Sequence, residues 1–191
     1  MNRYVMVDVE TDGPVPGEFS MLQLGAVVVE PGLSRRFFGE FAPISPFYHD
    51  GALSVTGITR EQSLTFPDAS FMTSKFDQWL SECGFDVDGS RYSKDSPIFI
   101  SDNNGFDFAF VNYYMWKFLK RNPFGHSSRN LGDLYKGCVN SVRENFKHLR
   151  ITQHTHNPLD DALGNAEALL QMIDHFNIRG ILSTDREYQH T

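Results

Sequence analysis

The chain opens on an apolar run, Tyr4-Val5-Met6-Val7, that closes with Asp8-Val9-Glu10-Thr11. Strand side chains alternate faces, so Asp8 and Glu10 are expected on one face while Val7 and Val9 enter the opposite layer. Turn formers crowd the next stretch, Thr11 to Gly17, and predict a loop. From Phe19 to Glu30, Leu22, Leu24, Ala26 and Val28 share one parity and predict a second strand, closed by Pro31-Gly32. Arg35 to Phe41 alternates in the manner of a third. Three early strands joined by short turns predict an antiparallel meander.

Pro43 to Thr59 is irregular, with Pro, Gly and Ser scattered through it, and Thr59 or Ser63 is a candidate cap for the next element. Asp68 to Cys83 carries Phe71, Phe76, Trp79 and Leu80 near helical spacing and predicts an amphipathic helix packed on the sheet. Asp86 to Pro97 is polar and rich in breakers, a surface loop. Pro97 to Ser101 is a short apolar run between breakers, the mark of a buried strand. Asp102-Asn103-Asn104-Gly105 then turns the chain into a helix over Phe106 to Lys120, whose aromatic face is Phe106, Phe110, Tyr113, Tyr114 and Phe118. Asn122 to Asn130 reads as loop, and Leu131 to Phe146 includes a helix. After His154-Thr155-His156-Asn157-Pro158, the clearest helix spans Asp160 to Phe176, with a stripe of Ala162, Leu163, Ala166, Leu169, Leu170 and Ile173. Strands first, then helix, strand, helix, helix: the pattern predicts an α/β domain over residues 1–182, a mixed sheet covered by helices, with a polar tail over 183–191.

Composition changes the picture in three places. At 191 residues, with 40% apolar and 21% charged, the chain is most simply one ordinary domain. Its net charge of −7 argues against a broad basic face for long duplex nucleic acid. The same charge is compatible with a few nucleotides held in an acidic pocket, because bound divalent ions reverse the local sign. Cys83 and Cys138 are far apart and lack metal-ligand spacing, so reduced thiols are expected. The first strand begins almost at Met1, and no apolar run approaches membrane-spanning length, so a cytoplasmic location without signal peptide is expected.

Each candidate acid has an ordinary explanation when taken alone. A strand that finishes at the surface exposes Asp8 and Glu10 to water, whereas a buried pair of carboxylates calls for a cation, and hard oxygens suit Mg²⁺ or Mn²⁺. Asp107, Asp160 and Asp161 each lie in a first helical turn, where a carboxylate complements the helix dipole. His156 stands just ahead of the last pair, on a loop, in a chain with seven histidines. The ordered set is harder to explain piece by piece.

Together these residues resemble the DEDDh branch of the DnaQ-like, ribonuclease T-like 3′→5′ exonucleases. The signature of that family is Asp-x-Glu ending the first strand, Phe-Asp opening a mid-chain helix, and His-x₄-Asp opening the last one. Here these are Asp8-Val9-Glu10, Phe106-Asp107 and His156-x₄-Asp161, in the family's order. Thr11 extends the first motif in the family's manner, and Val55-Thr56-Gly57-Ile58-Thr59 is similar to a Gly-Ile-Thr segment of the same loop. Asp160 and His154 stand beside the third motif, and the spacing selects Asp161 with His156. The resemblance covers roughly residues 4 to 175.

The resemblance implies a ribonuclease H-like fold, with the first three strands antiparallel and the later ones parallel, and metal-dependent exonuclease chemistry. Phosphodiester hydrolysis needs a deprotonated water and neutralisation of charge on the phosphate and leaving oxygen, which a pair of divalent cations, Mg²⁺ or Mn²⁺, supplies. Asp8 is expected to bridge both ions, Glu10 and Asp161 to complete the first site, and Asp107 to support the second. His156 is expected to be the general base, since an imidazole changes charge near neutral pH. Thr11 and Phe106 are the candidate substrate contacts, Phe106 by stacking on a base beside Asp107. Phe19 and Phe66 read more simply as core. The expected partner is a single-stranded 3′ end with a short footprint, RNA favoured over DNA, released as nucleoside 5′-monophosphates, and a homodimer is expected. A DNA proofreading or repair exonuclease is the alternative within the class. An inactive nucleic-acid-binding module of the same fold is the alternative outside it, and would have lost one of the four acids or the histidine. None is missing.

Overall fold

A computed structural model describes residues 3–88 and 93–182. Part of the loop expected over Asp86 to Pro97, and the tail expected over 183–191, lie outside the described residues. The first strand, β1 (Tyr4–Thr11), pairs antiparallel with β2 (Met21–Val28), which pairs antiparallel with β3 (Arg36–Glu40). The helices α1 (Asp50–Thr56), α2 (Arg60–Ser63) and α3 (Ala69–Glu82) come next. The strand β4 (Ile98–Ser101) enters the sheet parallel to β1 on the side away from β2, and leads into α4 (Asn104–Tyr114). A three-residue strand, β5 (Ser128–Asn130), adds to β4, and α5 (Leu131–Val139) and α6 (Pro158–Phe176) complete the chain. The sheet order is β3-β2-β1-β4-β5.

The alternation along β1 sorts its side chains into two layers. Val5, Val7 and Val9 join Leu24, Ala26 and Val28 of β2 against Phe76 and Leu80 of α3 and Phe110 and Tyr114 of α4. Met6 points the other way, with Val27, into a cluster built on Ala162, Ala166 and Leu169 of α6. Burying each such Val, Leu or Phe contributes about 1.5–3 kcal/mol, so both faces of the sheet are committed to helices. Asp8 and Glu10 share the parity of Met6 and therefore belong to the α6 side.

One residue decides how near α6 can come. Asp8 sits opposite Gly25 in the β1–β2 register. A Cβ built on Gly25 would lie 2.2 Å from the carbonyl carbon and oxygen of Pro158 and 2.3 Å from the Leu159 nitrogen. These are backbone atoms of the first turn of α6, and they have no room to withdraw. The absence of a side chain at position 25 is what lets the N-terminus of α6 settle beside Asp8.

Several expectations need correction. The stretch Pro43 to Thr59 holds α1, which leaves no mark in the sequence because only Leu53 of its seven residues is buried and Gly57, at φ 69°, ends it at once. Asn122 to Asn130 contains β5, whose three polar residues join the sheet edge by backbone pairing and carry no hydrophobic pattern. Phe71 does not belong to the buried stripe of α3, being 54% exposed, and Ala69, Thr73, Phe76 and Leu80 form it. The aromatic helix stops at Tyr114, continues as one π-helical turn over Met115–Leu119, and ends at Lys120 in a left-handed conformation. Leu163 and Leu170 of the α6 stripe are half-buried, flanking the fully buried Ala162, Ala166 and Leu169.

Gly25→Ala is expected to cost about 1–3 kcal/mol through overpacking against α6, and to depress the nuclease activity that the resemblance implies more than the loss of folded protein explains. Thermal melts beside activity per folded molecule check this. Wild-type activity in a fully folded Gly25→Ala protein contradicts it.

Candidate active site

Three carboxylates meet where β1 faces α6. One oxygen each from Asp8, Glu10 and Asp161 lies within 4.8 Å of the other two. Asp161 is delivered by a well-built helix start: the Asn157 side chain accepts from the Leu159 and Asp160 N–H groups, and Pro158 fills the first turn, where its missing N–H is not needed. The positive end of α6 favours a carboxylate at this point. Asp161 is 1% exposed. Its Oδ1 lies 2.7 Å from His154 Nδ1, 3.3 Å from the Thr155 nitrogen and 3.9 Å from Arg150 Nη1. Its Oδ2 is buried without a hydrogen-bond partner among the described residues.

Asp107 arrives from the other layer, on the first turn of α4 directly after β4. It is 3% exposed, and its Oδ2 is likewise buried with no partner among the described residues. It stands outside the three-carboxylate cluster, yet near enough for its charge to act on Asp8 and Glu10. Burial chiefly, then the charges of Asp107, Asp161 and Glu10, hold the Asp8 carboxyl well above the usual aspartate range, with Arg150 acting in the opposite sense. Glu10 is pushed from 4.5 up to about 7, again by burial first and then by Asp161 and Asp107. Asp107 is pushed from 3.8 up to about 7, mainly by burial.

This arrangement fits a hard divalent cation. The donors are all carboxylate oxygens, the class that Mg²⁺ and Mn²⁺ prefer. Asp161 has one oxygen held by protein donors and one left bare, which is how a carboxylate is set up to give a single bond to an ion. Asp8, Glu10 and Asp161 would hold it, and Asp107 is placed to contribute from the α4 side.

The other expected site residues are dispersed around this cluster. His156 is exposed on the loop before α6, in a left-handed conformation at φ 58°, and among the described residues the histidine paired with a cluster carboxylate is His154. The His156 ring packs edge-on against His154, with centroids 4.3 Å apart. The histidine in contact with Asp161 is therefore His154, and His156 is its outer neighbour. The Thr11 hydroxyl donates to the Gly13 carbonyl at 2.9 Å, bracing the loop after β1. Phe106 is half-buried against Phe110, 5.0 Å between centroids, one position from Asp107. Phe19 is buried and stacked on His49, and Phe66 packs with Leu22, Leu53 and Ile58, as the core reading expected. Arg150 was not anticipated. Arg150 stands between Leu149 and Ile151 in a stretch with no sustained periodicity, and a lone arginine there looks like a solvated one.

Comparison with known proteins agrees with this geometry. The profile of the exonuclease family matches residues 5–169. The five-stranded mixed sheet with flanking helices is the ribonuclease H-like fold of solved exonucleases, and the chain belongs to the exonuclease family whose profile it matches. The 3′-5′ DNA exonuclease Cap18 of Escherichia coli is 32% identical over 180 residues, covering 90% of this chain and 91% of that protein. Among solved structures, the zinc-bound complex of E. coli exonuclease I with single-stranded DNA superposes with a TM-score of 0.66 at 17% identity. That match covers 92% of this chain but 41% of the exonuclease I chain, so the present chain spans about two-fifths of its length. The nuclease domain of the DEDDh family member 3′hExo, bound to rAMP, gives a TM-score of 0.66 at 14% identity, covering 91% of this chain and 92% of that one.

The raised carboxylates fix the sign of a pH dependence. Between about 4.5 and about 7 the folded protein keeps a proton on Glu10 that the unfolded chain has released, so metal-free stability falls as pH rises through that window. Asp107 adds the same sign from 3.8 to about 7. Thermal midpoints in EDTA are expected to drop across this range, and the drop is expected to shrink in saturating Mn²⁺. A midpoint that climbs in EDTA over the same window contradicts the assignment. Asp8→Asn removes one charge from the crowd, and is expected to raise the metal-free midpoint while abolishing the increase that Mn²⁺ gives the wild type.

Proposed function

We propose that this protein is a divalent-metal-dependent 3′→5′ exonuclease that shortens single-stranded DNA and releases nucleoside 5′-monophosphates. The observation that carries the reading is the meeting of Asp8, Glu10 and Asp161 within 4.8 Å, from opposite ends of the chain, with two histidines at the rim. The polarity and the deoxyribose preference are supported by the 32% identical relative named as a 3′-5′ DNA exonuclease. The expectation of RNA rests on size and charge alone, and that relative moves the proposal to DNA.

Divalent cations bound by the carboxylates supply charge neutralisation at the scissile phosphate and lower the pKa of the attacking water. The chain's own groups do the rest. Asp8, Glu10 and Asp161 would hold the cation, and Asp107 would support them from α4. His156 takes the proton of the attacking water on a ring nitrogen. Its exposure on a loop lets the ring reach a bound strand, and the His154 ring behind it limits where it can turn. Phe106 offers an aromatic face next to Asp107 for the terminal base, at about 1–3 kcal/mol per stacked base. With a net charge of −7, the grip on the strand is local to the terminus.

The direct test uses 5′- and 3′-labelled single-stranded DNA and RNA and blunt duplex, each with Mg²⁺, Mn²⁺ or EDTA. Expected are stepwise shortening of 5′-labelled DNA, immediate release of labelled mononucleotide from 3′-labelled DNA, slower loss of RNA and duplex, and no reaction in EDTA. Shortening from the 5′ end, preference for blunt duplex or indifference to EDTA overturns the reading, and faster loss of RNA overturns the sugar assignment. His156→Ala is expected to lower kcat by roughly 10²–10⁴-fold with Mn²⁺ affinity retained in calorimetry, and full activity of that variant removes His156 from the mechanism.

A further inference from the structure

We propose that Arg150 is a positioning residue that aims Asp161 at the metal-binding carboxylates, an inference that rests on the catalytic reading above. The guanidinium lies inside the protein, with the side chain 7% exposed, among Asp102, Asp161 and Asn165. Nη2 donates to Asn165 Oδ1 and lies 3.7 Å from Asp102 Oδ2, while Nη1 lies 3.9 Å from Asp161 Oδ1. The charge also sits over the Phe146 ring, 5.6 Å from its centroid. Three segments are thus tied to one cation: the turn between β4 and α4 through Asp102, the first turns of α6 through Asp161 and Asn165, and the loop that carries both histidines.

That loop runs back along α6 and is pinned to it at successive turns. Gln171 Nε2 donates to the Leu149 carbonyl at 2.8 Å. The Ile151 and Thr152 N–H groups donate to Glu167 Oε2 at 3.0 and 2.7 Å. Gly164 allows the close contact, since a Cβ there would lie 2.5 Å from the Thr152 carbonyl oxygen and 3.3 Å from Arg150 Cδ. Arg150 is therefore held along its stem, and its fork stands 3.9 Å from Asp161 Oδ1. Oδ2 stays buried, with no hydrogen-bond partner among the described residues, and is the free oxygen of a carboxylate that lies within 4.8 Å of Asp8 and Glu10. The planar guanidinium donates to one amide oxygen and stands at ion-pair distance from two carboxylates, a spread of charge that a compact lysine ammonium does not reproduce. At 7% exposure it is not available to grip a passing phosphate.

Arg150→Met keeps the apolar stem and removes the fork, Arg150→Lys keeps the charge alone, and Glu167→Ala loosens the same loop without touching Asp161. The measurements are thermal midpoints in EDTA and in saturating Mn²⁺, Mn²⁺ calorimetry, and kcat and KM on a single-stranded oligonucleotide. Arg150→Met is expected to melt below the wild type in EDTA, with the gap narrowing in Mn²⁺ as the ion takes over the neutralising role. Its kcat is expected to fall roughly 10–100-fold, the range for groups that orient metal ligands, with KM unchanged, and Arg150→Lys is expected to recover part of the loss. Glu167→Ala is expected to lower the midpoint equally with and without Mn²⁺. Wild-type kcat in Arg150→Met, a rise confined to KM, or a stability loss indifferent to Mn²⁺ overturns the proposal. If Arg150→Met does not fold, Arg150→Lys carries the test: reduced kcat at unchanged KM supports it and wild-type kcat overturns it. Failure of the catalytic reading looks different, because then the wild type itself neither binds Mn²⁺ nor shortens the strand.

Discussion

Carboxylates crowded into one partly buried corner repel each other, and the protein is built around that conflict. Two unit charges about 4 Å apart interact by about 4 kcal/mol at an effective dielectric of 20, a sizeable part of a domain's net stability of about 5–15 kcal/mol. Asp8, Glu10 and Asp161 share such a corner, with Asp107 close behind. Without a cation, burial first and neighbouring carboxylates second push Glu10 up to about 7, burial does the same to Asp107, and one buried guanidinium, Arg150, acts in the opposite sense on Asp8. With a cation the same repulsion becomes affinity, since each negative charge is then a ligand or a neighbour of one. The rest of the structure delivers these groups and holds them there against their mutual charge.

Delivery depends on approach distances that the layers set. The alternation of β1 gives Asp8 and Glu10 to the α6 side, and the two hydrophobic clusters fix which side that is. Gly25 opposite Asp8 lets the first turn of α6 touch the sheet, and the Asn157 cap fixes where that turn begins. β4 enters parallel beside β1, so the turn after it places Asp107 near the same strand end. Asp161 is braced on one oxygen by the loop that also carries His154 and His156, which joins the proposed acid ligands and the proposed base into one unit.

Much of this is legible because strong periodicity and chemistry coincide in the sequence. The β1 alternation, the α6 stripe and the meander of the first three strands all rest on apolar spacing sustained along each element. The convergence of Asp8, Glu10 and Asp161 comes from motif order and not from spacing alone, since each acid taken singly is an ordinary turn or helix-start residue. The features that escape lack a pattern of their own. α1 buries one leucine, and β5 is three polar residues held by backbone pairing. The burial of Arg150 and the contact of His154 with Asp161 depend on how a loop lies along α6, which is decided by Glu167, Gly164 and Gln171 farther along the chain. Gly25 looks like a residue lost from a strand, and its purpose shows only when Pro158 is seen against it.

The central claim is that the three-carboxylate cluster is a cation site. Anomalous diffraction from crystals of the wild-type protein grown or soaked with Mn²⁺ tests it without reference to activity. The account predicts a peak bonded to oxygens of Asp8, Glu10 and Asp161, with the bare Oδ2 of Asp161 among the ligands. Mn²⁺ bound only elsewhere, or a cluster that stays metal-free at saturating Mn²⁺ and neutral pH, would contradict it.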